Sequence, residues 1–236
     1  MVVLAQHLFS QLVPSKKYMV DQNAKQLPNF CLCSCKAKII SGKTGIGPGA
    51  TWHGNADILL DQTMAVAVID DDDGNDESSE EEFGEPERKK TKNKKTFDQI
   101  VSETITNAFA QVNMNNCLEG WLIQTFGCTS DFAYVFLYDP VNDLLMHSCP
   151  LLDLWPSPGT LNMRSVITLW LFLNFSTFIS KNLSEKFYLS ESGFHKIVKE
   201  KLAFYKKIQT RMDIDVVNTV TDYEGIYPLL RDLSKK

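Results

Sequence analysis

Residues 47–69 read Gly-Pro-Gly-Ala-Thr-Trp-His-Gly-Asn-Ala-Asp-Ile-Leu-Leu-Asp-Gln-Thr-Met-Ala-Val-Ala-Val-Ile. Ser41–Gly49 holds four glycines and Pro48, which predicts a loop. Two runs rich in aliphatic and β-branched residues follow, Thr51–Leu60 and Thr63–Ile69, with Asp61-Gln62 between them. Two such runs separated by two residues predict a β-hairpin, here without the usual turn glycine. An acid, Asp57, opens the apolar part of the first run.

Working outward, Phe30–Ile40 alternates and is rich in Cys and Ile, which suits a strand. Val2–Leu12 repeats leucine at helical spacing (Leu4, Leu8, Leu12) ahead of Pro14, predicting a short helix. Downstream, Phe97–Val112 places Ile100, Val101, Ile105, Ala108, Phe109 and Val112 on one helical stripe. Trp121–Phe126, Phe132–Tyr138 and Leu144–Ser148 read as strands. The last two are joined by Asp139-Pro140-Val141-Asn142-Asp143, strong turn chemistry. Leu161–Ile179 reads as a long apolar helix, and Ser192–Gln209 as an amphipathic one carrying Lys196, Lys199, Lys201, Lys206 and Lys207. This order predicts an α/β domain with a mixed central sheet flanked by helices.

Residues 70–95 interrupt that domain. They hold eleven acids and six bases, while the remainder of the chain holds eighteen of each. The net charge of −5 therefore belongs to the insert, and the body is neutral. Phe83 is the insert's one large apolar group, too little to offset the entropy of ordering it, so disorder is expected. The chain divides accordingly into 1–69, the insert 70–95, and 96–236. Ser78 and Ser79 precede a run of glutamates, a context in which phosphorylation would add charge, and Arg88–Lys95 is a basic cluster. One reading of the insert is thus a phospho-regulated arm that captures a protein partner. The basic cluster also fits a nuclear import signal.

At 44% hydrophobic residues, the chain has enough apolar material for a packed core. Its longest apolar run, Val166–Leu173, is far short of the roughly 20 residues that span a bilayer, so no membrane association is expected. Met1–Leu12 lacks the pattern of a secretory signal, which implies an intracellular protein, nuclear or cytoplasmic, with free thiols. Cys31-Leu32-Cys33-Ser34-Cys35 invites a metal reading. On a regular strand, however, residues two apart stand about 6.6–6.8 Å from each other. Sulfurs sharing a tetrahedral zinc approach to about 3.8 Å. A strand through these residues would hold them apart, and they are expected as small buried side chains. The four histidines show no metal-ligand spacing; His53, four residues before Asp57, is the one nearest the hairpin acid. Gly42-Lys43-Thr44 is not a phosphate loop, because Ala37 stands where its first glycine would be.

The segment from Asp57 to Ile69 resembles the core hairpin of the restriction-endonuclease-like superfamily. That family carries a carboxylate on one strand and an acid-x-lysine triplet on the next. The resemblance covers Phe30–Tyr138 by element order and implies a restriction-endonuclease-like core that handles nucleic acid. In the family the acids hold a divalent cation, usually Mg²⁺, which generates the nucleophile and neutralises the phosphate. Asp57 matches the first acid. The triplet's place falls at Ala67-Val68-Ile69, which offers neither carboxylate nor lysine. The resemblance therefore implies a pseudoenzyme that binds nucleic acid or a protein partner and needs no cofactor. If activity survives, Mg²⁺ would be held by Asp57 with Asp70 as a displaced ligand, and Asp61 or Asp72 lie nearby in sequence. Lys38, or Lys36, would supply the migrated lysine, and Gln99 the helix glutamine that some branches use, with Gln111 a further glutamine on that helix.

Overall fold

The computed structural model describes residues 2–25, 27–61, 63–69, 86–130, 132–148, 152–157, 159–179, 181–183 and 190–212. A mixed eight-stranded sheet runs through it. Its strands are β1 (Tyr18–Asp21), β2 (Ser41–Gly42), β5 (Ile58–Leu60), β6 (Met64–Val68), β7 (Ile123–Cys128), β8 (Phe132–Asp139), β9 (Leu144–His147) and β10 (Leu152–Asp153). The spatial order is β10-β8-β7-β6-β5-β1-β2, with β9 also on β8. Pairs β1/β2 and β6/β7 are parallel and the other pairs antiparallel. A second, three-stranded sheet joins β11 (Thr210–Met212), β3 (Thr44–Ile46) and β4 (Gly54–Asn55).

The hairpin forms where the sequence places it. Ile58 pairs with Val66 and Leu60 with Met64. Its turn uses Asp61 at φ 50°, a left-handed conformation that aspartate tolerates, which is why no glycine is required. Alternation along the strands then sorts side chains to two faces. Ile58, Leu60, Met64 and Val66 join one core with Leu8 and Phe9 from the N-terminal helix and Val166 and Leu169 from α4 (Met163–Leu173). Leu59 and Ala65 join the other, with Ile105 and Phe109 of α3 (Pro86–Met114) and Tyr205 and Ile208 near the C-terminal end of the described chain. The sheet is thus covered on both faces, as an α/β core requires.

Several sequence expectations change here. Helix α3 begins at Pro86, a residue suited to the first helical position, so the basic half of the insert forms its opening turns. Residues 70–85, with the expected acidic arm, lie outside the described residues. The region 41–49, expected as a loop, contributes two short strands, β2 and β3. Strand β1 had no signal of its own: four residues, recognised only by partners β5 and β2 on either side. The C-terminal amphipathic helix breaks into Phe194–Val198 and Leu202–Tyr205, with Lys199 at φ 43° between them. Asp143 anchors this segment: its carboxylate accepts the Tyr138 and Ser192 hydroxyls and the His195 N–H at 2.6–3.1 Å.

The expected strand Phe30–Ile40 is the largest departure. Only its ends pair, through the Phe30–Lys38 bridge and the Cys31 N–H to Ala37 carbonyl bond at 2.7 Å. Between them the chain turns, with Lys36 at φ 53°. No helix among the described residues is long and apolar enough to cross a membrane.

Candidate functional site

Two constellations of chemistry-bearing side chains stand out, one on each side of the sheet. The first is built on the hairpin. Asp57 sits at the bend before β5 and is half-buried. The Val68 N–H donates to its Oδ2 at 2.7 Å, so the carboxylate ties the entrance of one hairpin strand to the exit of the other. Asp57→Ala leaves that N–H without its acceptor, which costs about 1–3 kcal/mol if the amide remains unsatisfied. Faster hydrogen exchange at Val68 alongside a lowered unfolding midpoint is the expected readout.

Glu103 of α3 is the acid that couples to Asp57. It is 1% exposed, and its Oε1 has no hydrogen-bond partner among the described residues. Burial, and secondarily the charge of Asp57, lifts its carboxyl from 4.5 to about 8. At neutral pH Glu103 is therefore protonated. One and two helical turns further on, Asn107 and Gln111 both donate to the Thr63 carbonyl at 3.4 and 3.3 Å, fastening α3 to the hairpin turn.

The expected place of the acid-x-lysine triplet is apolar. Ala67 is buried against Ile100 and Phe136, with Ile69, Val101 and Tyr134 packed around them. Gly127 of β7 makes room for this plug: a Cβ there would stand 2.8 Å from Ile100 Cδ1.

Lys38 is exposed at the base of the cysteine turn. Register explains why it is displaced from the site. Asp21 pairs with Gly42 and donates its N–H to the Asp57 carbonyl at 2.9 Å, so Gly42, followed by Lys43, comes level with Asp57. Lys38 lies four residues earlier on that strand's approach. Gln99 is exposed, one turn before Glu103. Asp61 occupies the turn at the opposite end of β5 from Asp57. Asp70 lies outside the described residues, as does Asp72. His53 is exposed, its Nδ1 3.3 Å from the Thr51 carbonyl. Glu103 was missed by sequence reading, although Glu103, Asn107 and Gln111 recur every four residues on an otherwise apolar face, a polar stripe that signals a buried role.

The second constellation overturns the expectation that the cysteines are buried, separated side chains. Cys31 is buried, Cys33 half-buried and Cys35 exposed. The turn brings their sulfurs together, 3.2 Å from Cys31 to Cys33 and 3.0 Å from Cys33 to Cys35. His7 reaches the same point from the N-terminal helix. Its Nε2 lies 3.1 Å from Cys33 Sγ and 3.4 Å from both Cys31 Sγ and Cys35 Sγ. His7 is carried on a π turn, Ala5–Phe9, between the α-helical segments Val2–Leu4 and Ser10–Leu12. Such turns are rare and concentrate at functional positions. Hydrogen bonds from Cys35, then Cys31 and His7, favour the Cys33 thiolate and bring its pKa down to about 6.

No family model, no curated protein and no solved structure matches this chain.

Proposed function

We propose that this chain is a catalytically silent nuclease-fold protein that binds nucleic acid. The observation that carries the reading is the apolar plug of Ala67, Ile69, Ile100 and Phe136 where a nuclease of this kind keeps its acid and lysine. Beside it, Asp57 is engaged with a backbone N–H and Glu103 is uncharged at neutral pH, a poor pair for a hard divalent cation. The element order agrees with the resemblance: helix, β1, the β5/β6 hairpin, α3, and then β7 parallel to β6.

Charge supports nucleic acid over a protein partner. Residues 1–69 contain six lysines and three acids. All six (Lys16, Lys17, Lys25, Lys36, Lys38, Lys43) are exposed, and each flanks β1 or β2 at one edge of the sheet. Asp21, the acid nearest in sequence to all of them but Lys43, is buried. A lysine-lined edge attracts phosphate backbones and should bind with strong salt dependence.

One assay tests both halves. Labelled DNA and RNA oligonucleotides, single- and double-stranded, are titrated with the full chain at low and high salt, then incubated with Mg²⁺ or Mn²⁺. The expected result is salt-sensitive binding without cleavage, weakened when Lys36, Lys38 and Lys43 are replaced together by glutamine. No binding to any of the oligonucleotides would sink the nucleic-acid reading.

A second reading is favoured by Glu103, a buried acid coupled to Asp57 with its Oε1 unpartnered among the described residues, a displaced acid of the sort an active Mg²⁺-dependent nuclease would need. In that case Lys43, which follows the Gly42 level with Asp57, takes the role first assigned to Lys38. Cleavage that disappears in Asp57→Asn, Glu103→Gln and Lys43→Ala would establish it and displace the silent reading.

A further inference from the structure

We propose that His7 Nε2 and the sulfurs of Cys31, Cys33 and Cys35 bind one zinc ion in a closed four-donor site that fastens the N-terminal helix to the cysteine turn. The site is separate from the hairpin and independent of the function proposed above.

The geometry carries the inference. Four donors define six distances; five of them are 3.0–3.4 Å, and all four atoms lie within 4.8 Å of one another. Tetrahedral zinc, with Zn–S about 2.3 Å and Zn–N about 2.0–2.1 Å, sets S···S near ~3.8 Å and S···N near ~3.6 Å. Each of those five pairs therefore has to open by less than about 1 Å to admit the ion, and the sixth, between Cys31 and Cys35, is already within 4.8 Å. The turn can make that adjustment. Cys33 and Cys35 lie at its half-buried and exposed tip, while Cys31 is held at its base by the bond to Ala37.

The donor chemistry selects the metal. Three thiolates and an imidazole are soft to borderline ligands, which disfavour Mg²⁺ and Ca²⁺ and suit zinc. Four protein donors leave no open position for water, so the ion is structural. Three thiolates leave a net single negative charge around Zn²⁺, and Lys36 and Lys38 follow directly in the chain. The alternative use of such thiols is a disulfide. That would consume two sulfurs at about 2.05 Å and leave the third, with the histidine, unexplained.

The test uses the full chain, produced without a histidine tag and kept reduced. Elemental analysis is expected to give one zinc per chain, released by a thiol-blocking mercurial. X-ray absorption at the zinc edge is expected to show three sulfurs and one nitrogen. Cobalt substitution should produce intense thiolate-to-cobalt absorption, lost in Cys33→Ser, changed in His7→Ala, and unaffected in Cys117→Ser. Should the first two variants fail to fold, the absorption measurement on wild-type protein still decides. A reduced wild-type chain with less than about a tenth of a zinc per molecule and no cobalt spectrum overturns the proposal, as does a donor shell lacking sulfur.

Discussion

At pH 8, Glu103→Gln is expected to make the protein more stable than wild type by about 4 kcal/mol, and at pH 4 the two should be nearly equal. The size follows from a carboxyl lifted from 4.5 to about 8, at 1.36 kcal/mol for each unit. The direction follows from proton binding. Between those two values the folded state holds a proton that the unfolded chain releases, so raising the pH favours unfolding. Above about pH 8 both states are ionised and the slope vanishes. Glutamine keeps the shape and carries no charge, so its curve should lack that slope. Urea unfolding across pH 4–9 measures it, and parallel curves for the two proteins would refute the assignment. Glu103 is almost entirely buried, so solvent screening does little to reduce the effect. The same experiment bears on function, because an uncharged Glu103 must lose its proton before it can ligate a cation.

Phe126→Ala should cost about 3–5 kcal/mol, the range for emptying a large aromatic site in a core. Phe126 is 1% exposed at the middle of β7, in register with Val66 on one side and Val135 on the other. It belongs to the core that joins the sheet to the N-terminal helix and α4, so its loss loosens three elements together. Phe126→Leu retains most of the volume and should cost less than about 1.5 kcal/mol. Phe97→Ala provides the contrast. Phe97 packs edge-on to Phe136 but is 39% exposed, and its removal should cost much less. Denaturant midpoints for the three variants check the order.

How much of this was legible in the sequence depended on the range of the interactions involved. The β5/β6 hairpin was readable because its signals, Asp57, the turn at Asp61 and alternating aliphatics, lie within a dozen residues. The two-face coverage of the sheet followed from helical stripes such as that of α3. Strand β1 was not readable, since Tyr18–Asp21 becomes a strand only by pairing with residues some twenty and forty positions away. The cysteine turn was misread for a definite reason. Alternation is compatible with a strand, and strand geometry would hold the sulfurs apart. The residues adopt a turn instead, and their fourth partner, His7, stands twenty-four residues from Cys31. Glu103 was harder to place: its spacing with Asn107 and Gln111 is a local signal, but the hairpin that buries it lies some forty residues earlier in the chain.

The π turn at Ala5–Phe9 also sets the angular register of the first helix. It holds more residues per turn than its α-helical neighbours, so it acts as an indexing step between them. A chain shortened by one residue there would be free to wind as continuous α-helix. The parts before and after the deletion would keep nearly the same relative rotation, because the wider π turn absorbs one residue more than an α turn does. The change would fall inside the turn itself, where Ala5 and Leu8 are buried while His7 reaches the three sulfurs. The N-terminal helix is in this sense keyed like a lock tumbler: one residue more or less within Ala5–Phe9 changes which side chain is presented to the cysteines.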